Sequence, residues 1–118
     1  MKLYRPVGQK EFELIEESGF RAFPPRLEWQ PIFYPVLNKE YAAQIAREWN
    51  TKDAFSGYVG YVLEFEIADN YLAQYDIHTV GAGHHQEYWV PSERLAEFNE
   101  QIIGSIKTIE KFEGPRHL

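Results

Sequence analysis

The stretch YVGYVLEFEI, from Tyr58 to Ile67, alternates with a period of two: Val59, Tyr61, Leu63, Phe65 and Ile67 fall on one face, Gly60, Glu64 and Glu66 on the other. That is the spacing of a β-strand and not of a helix. A strand with a continuous apolar face has to bury it against other elements, so the rest of the chain must supply a sheet and a cover.

The candidates are short. KLYRPV (2–7) reads as a strand closed by a proline and Gly8, and PIFYPV (31–36) as a second strand, placed at an edge by its flanking prolines. YDIHTV (75–80), QEYWV (86–90) and GSIKTIEKF (104–112) carry the aromatic and branched residues of further strands. QKEFELIEE sets Phe12, Leu14 and Ile15 against glutamates and stops at Gly19, which predicts an amphipathic helix. Asn38 is a suitable N-cap for KEYAAQIAREWN, whose Tyr41, Ala42, Ile45, Ala46 and Trp49 form an apolar stripe expected to join the core. Pro91 and Ser92 open a third helix with Leu95, Phe98 and Ile102 inward, and ADNYLAQ makes a single turn. RAFPPRLEWQ (21–30) has no period and is a loop in which Trp29 is expected as an anchor or a pocket cover, while TKDAFSG and GAGHH are turns and EGPRHL a frayed tail. Helices gather early and strands late, the arrangement of an α+β fold.

At 118 residues the chain fits one domain, 1–118, and 44% apolar, 16% aromatic and 25% charged residues place it in the globular range. Twelve basic against eighteen acidic residues give a net charge of -6, which repels phosphate backbones and anionic membranes, so no nucleic acid and no membrane are expected as partners. Cysteine is absent, which removes disulfides, thiolate metal sites and cysteine nucleophiles. No apolar run has the length of a signal peptide or of a membrane span, so a cytoplasmic protein is expected.

The segment GHHQEYWVP invites a metal reading through His84, His85 and Glu87. Adjacent side chains on a strand point to opposite faces, and only His78 and His117 remain to complete a ligand set, so no metal is expected. No G-x-S-x-G elbow surrounds Ser56 or Ser92, and the glycines have neither phosphate-loop nor dinucleotide-fingerprint spacing. A dispersed set remains: Arg5 on the first strand, Tyr34 on the second and Glu87 on a late one.

The order LYR, an amphipathic helix ending in SGF, then FYPVLNKEYAAQIAREW, then a β-rich half ending in HQEYWVP resembles the ADP-ribosyltransferases, which use NAD as substrate. It is also similar, along most of its length, to small bacterial proteins that carry an ADP-ribosylation or J-crystallin label. The hydrolases behind the crystallin half of that label are much larger helical proteins with two metals, so the transferase comparison is the one that fits. The resemblance implies a split antiparallel sheet with two or three packed helices and NAD in the cleft between its halves. It implies that Arg5 binds the nicotinamide-side ribose or a phosphate, that Tyr34 stacks on nicotinamide, and that Glu87 stabilises the cationic ribose. Arg21 and Arg26 would meet the pyrophosphate, and His85 the ligand or an acceptor of unknown identity. The chain departs from the family pattern by combining Arg5 with Tyr34 and by carrying His85 where arginine-specific members have a glutamate. The expected function is therefore transfer of ADP-ribose, or hydrolysis of NAD. The alternative is a catalytically silent module of the same fold that binds a nucleotide or a protein partner.

Overall fold

In the computed structural model, which describes residues 1–81, 83 and 85–114, the alternating stretch lies at the middle of a sheet. In chain order the elements are β1 (Lys2–Val7), α1 (Gln9–Glu17), β2 (Ile32–Phe33), α2 (Lys39–Glu48), 3-10 turns at Asn50–Lys52 and Ala54–Ser56, β3 (Val59–Ile67), α3 (Asp69–Leu72), β4 (Ile77–Thr79), β5 (Gln86–Tyr88), β6 (Val90–Pro91), a 3-10 turn at Ser92–Arg94, α4 (Leu95–Glu100) and β7 (Ile102–Glu113). The fold is α+β with small antiparallel sheets. β3 pairs with β1 on one side and β7 on the other, β2 pairs with β6, and β4 with β5. Val36 links two of these pieces, bridging Tyr4 on one side and Glu87 on the other.

One face of β3 is covered along its length and the other over Gly60 and Val62, while Glu66 is exposed. Tyr61, Leu63, Phe65 and Ile67 enter the main core with Leu3, Ile15 and Phe98. There Phe23, Phe33, Phe65 and Phe98 meet edge to face or tilted, with centroids 4.9 to 5.9 Å apart, the geometry that aromatic quadrupoles favour. On the opposite face Val62 packs with Val36 and with Ala42, Ala43 and Ala46 of α2. Small side chains let that helix lie close: a Cβ on Gly60 would sit 2.4 Å from the Ala46 carbonyl oxygen.

Several elements differ from the sequence expectations, each for a local reason. The expected strand 31–36 is reduced to Ile32–Phe33 and the two bridges at Val36, because Pro31 and Pro35 have no N–H to donate. The expected strand 86–90 breaks at Trp89 into β5 and β6, which serve different partners, and the expected strand 75–80 shortens to Ile77–Thr79. The helix expected from Pro91 starts as a 3-10 turn and ends at Glu100, which leaves Ile102 to open β7. Glu113, expected in the frayed tail, belongs to β7, and the Gly114 N–H donates to the Tyr58 carbonyl at 2.8 Å. Four α-helices are present among the described residues, against the two or three that the resemblance implies. Trp49 is 60% exposed and is not core: the three alanines of α2 take the sheet, and the face with Tyr41, Ile45 and Trp49 turns to a cleft. No helix among the described residues is long and apolar enough to cross a membrane.

Candidate functional site

The period of β1 places Arg5 between Leu3 and Val7 on the strand's inward face, where it is 8% exposed. A guanidinium in that position needs acceptors, and α1 supplies them. Glu11 accepts from Arg5 Nε at 2.9 Å and from Nη2 at 3.2 Å, and the Tyr34 carbonyl accepts from Nη1 at 3.3 Å. The Phe33 ring lies under the same guanidinium, 4.6 Å from Cζ to the centroid.

Arg26 comes into this cluster from the proline-containing loop. Its Nη1 is 3.9 Å from Glu11 Oε1, and its guanidinium stands 5.9 Å from the Phe33 centroid. Burial above all, and then the charge of Arg5, pull its pKa below the ordinary arginine value. Two guanidiniums thus share one carboxylate, and Arg26 Nε is buried with no acceptor. This part of the protein is short of negative charge and of lone pairs.

Glu87 is equally enclosed, at 7% exposed. It sits on β5, held between β4 and the Val36 bridge to β1, so two strand spacings, roughly 10 Å, separate it from β1. Its two oxygens have separate donors, Tyr41 Oη at 3.2 Å and Trp89 Nε1 at 3.1 Å. Tyr41 is set by its place in the first turn of α2, where the Asn38 side chain accepts from its backbone N–H at 2.7 Å. Burial first, and then the Glu87 charge, push the Tyr41 phenol up, which keeps it a donor.

Arg5, Arg26, Tyr34 and Glu87 all line one cleft of about 410 Å³. Its wall continues past Tyr41 and Ile45 to Trp49, Asn50, Phe55 and Ser56. Here Asn50 Nδ2 donates to Ser56 Oγ at 3.0 Å, and Ser56 Oγ donates to Asp53 Oδ2 at 2.8 Å. Asn50 Oδ1 is buried without a donor. Trp49 and Phe55 are left 60% and 72% exposed at this end.

The structure does not bring every expected residue to the cleft. Arg21 is exposed and lies outside the lining. His85 stands behind it, stacked on Tyr41 at 4.4 Å with Nε2 3.2 Å from Gln44 Oε1. Trp29 is 72% exposed, neither anchor nor cover. Tyr34 is 39% exposed and meets Trp89 edge-on, with centroids 6.2 Å apart. His84 and His117 lie outside the described residues. Glu11, Tyr41, Trp49, Asn50 and Phe55 are additions that sequence reasoning missed. The parity of Arg5 with Leu3 and Val7 carried the one available signal, since an inward arginine calls for an acidic partner nearby. No protein-family model, no curated protein and no solved structure matches the chain.

Proposed function

We propose that this cleft binds NAD and that the chain transfers ADP-ribose from it to an acceptor, or to water as a glycohydrolase. The observation that carries the reading is the buried Glu87 carboxylate, braced by two donors on the wall that Arg5 and Arg26 also line. Breaking the bond from C1′ to nicotinamide sends the bonding pair out with neutral nicotinamide and leaves positive charge on the ribose. A fixed carboxylate that faces this charge and holds the 2′-hydroxyl lowers the barrier, because it meets more charge in the transition state than in the ground state. The acceptor or a water then bonds to C1′ and releases its proton to solvent. Arg26, with a donor to spare, suits the pyrophosphate, and Tyr34 offers a half-exposed ring to nicotinamide.

The test is nicotinamide release from NAD, with binding followed by calorimetry. Glu87→Gln is expected to slow release by about 10² to 10³-fold and to change NAD affinity little. Release that ignores this substitution sinks the proposal.

One observation favours a silent module instead. Glu11 already occupies two donors of Arg5, so the fork that would clasp a ribose or phosphate is engaged inside the protein. NAD binding with no release dependent on Glu87 is the outcome that selects this second reading.

A further inference from the structure

We propose that the end of the cleft formed by Trp49, Asn50 and Phe55 is a base site, which takes the adenine ring of the nucleotide through stacking and one hydrogen bond from its exocyclic amine. This rests on the reading of the cleft as a nucleotide site and adds which part of the ligand lies where. Among the described residues two buried side-chain polar atoms lack a partner, Arg26 Nε and Asn50 Oδ1, and both residues line this cleft. Native proteins leave few such atoms unpaired, and each one asks for a reason. Here the two orphans are complementary in kind: a cationic donor calls for an anion, and a neutral acceptor calls for an N–H or O–H.

The orientation of the Asn50 amide follows from its neighbours. Ser56 has one hydroxyl hydrogen and gives it to Asp53 Oδ2 at 2.8 Å, so its oxygen can only accept from Asn50. The amide therefore presents Nδ2 to Ser56 at 3.0 Å and leaves Oδ1 over. Trp49 and Phe55 leave large apolar rings in water on the same wall. Rings of this kind stack on a flat base without regard to its edge, and the orphan acceptor then selects a base with a hydrogen to give.

The spacing suits one ligand spanning both orphans. β1 is followed by Gly8, which presses on Ser56 so closely that a Cβ there would lie 2.6 Å from Ser56 Cα. Gly8 is three residues on from Arg5, roughly 10 Å along the chain at about 3.3 Å per residue. A phosphate near Arg5 and Arg26 and a base beside Asn50 would leave room for a sugar between them, and Glu87 lines the same cleft for the second ribose.

The experiment titrates the chain with ADP, with 1,N6-etheno-ADP, whose amine hydrogens are gone, and with inorganic pyrophosphate, which has no base. Trp49→Ala and Phe55→Ala, both at exposed positions, are each expected to weaken ADP by about tenfold and to leave pyrophosphate unchanged. Etheno-ADP should bind several-fold more weakly than ADP to the unaltered chain. Equal affinity for ADP and etheno-ADP would remove the Asn50 contact. ADP binding that falls in Arg26→Met but is indifferent to both aromatic substitutions would overturn the base site and leave the NAD reading standing. Failure of ADP, pyrophosphate and NAD alike to bind would take down both.

Discussion

Glu11 grips Arg5 across the turn between β1 and α1 with both carboxylate oxygens, at 2.9 and 3.2 Å. The pair is unequal in its surroundings, since the Arg5 side chain is 9% exposed and that of Glu11 24%. Arg26 also leans on Glu11 at 3.9 Å. Glu11→Gln would therefore leave two buried guanidiniums with no counter-charge, and removal of one partner of a buried pair costs about 3 kcal/mol or more. The double substitution Arg5→Leu with Glu11→Leu should cost less than Glu11→Gln alone, because it leaves one guanidinium, that of Arg26, without a counter-charge instead of two. Urea denaturation of the two variants checks the order, and the reverse order would show that the ion pair itself supplies the stability.

Gly60 is a second point where one atom decides the packing. A methyl group there would meet the Ala46 carbonyl oxygen at 2.4 Å and its Cα at 2.8 Å, both backbone atoms that cannot rotate away. Gly60→Ala should lower stability by roughly 1–3 kcal/mol, read as a drop in the melting temperature. An unchanged melting temperature would mean that α2 rides loosely on β3.

What was legible in the sequence follows the same division between local and distant causes. β3, α1 and α2 could be read because their determinants are their own: the alternation of Val59 to Ile67, the stop at Gly19 with φ of 75°, the Asn38 cap. Trp49 was misplaced because a helical period tells which residues share a face, not what covers it. The short strands 31–36 and 86–90 needed knowledge of their partners, since the Tyr88 N–H goes to Pro35 and the Ser92 N–H to Pro31. Glu87 drew notice as a carboxylate beside Tyr88 and Trp89, and Arg5 through the LYR motif that carries the family resemblance. Their partners Glu11 and Tyr41 did not, because six residues in one case and forty-six in the other separate each pair.

The tyrosines give a prediction in alkaline solution. Burial is the main cause that pushes Tyr4, Tyr41, Tyr71 and Tyr88 above the ordinary phenol value of 10.0, with Tyr71 raised furthest and paired to Tyr75 Oη at 2.8 Å. A phenol whose pKa is higher in the folded state contributes stability that is complete below the unfolded value and is lost as pH rises through the folded one. Absorbance of phenolate on titration above pH 10 should therefore show these four lagging behind free tyrosine and appearing with the loss of structure seen by circular dichroism. A single transition at the free-tyrosine position, with the fold intact, would contradict their burial.

The two donors on Glu87 allow the catalytic reading to be separated from a structural one. Tyr41→Phe and Trp89→Phe each keep an aromatic ring in place and remove one hydrogen bond, from Oε1 and Oε2 respectively. Hydrogen bonds to a charged group contribute about 1.5–3 kcal/mol, so either change loosens the carboxylate without emptying the wall. If Glu87 faces the charge that develops on the ribose, its aim matters most in the transition state. Turnover in nicotinamide release should then fall by about tenfold or more in each variant with KM little changed, the pattern of a lost transition-state interaction. If Glu87 only ties β5 to α2, the same substitutions should lower the melting temperature and leave turnover per folded molecule as it was. Measuring both quantities on both variants decides between them, because a carboxylate that only holds the fold together has no reason to spare KM and lower kcat.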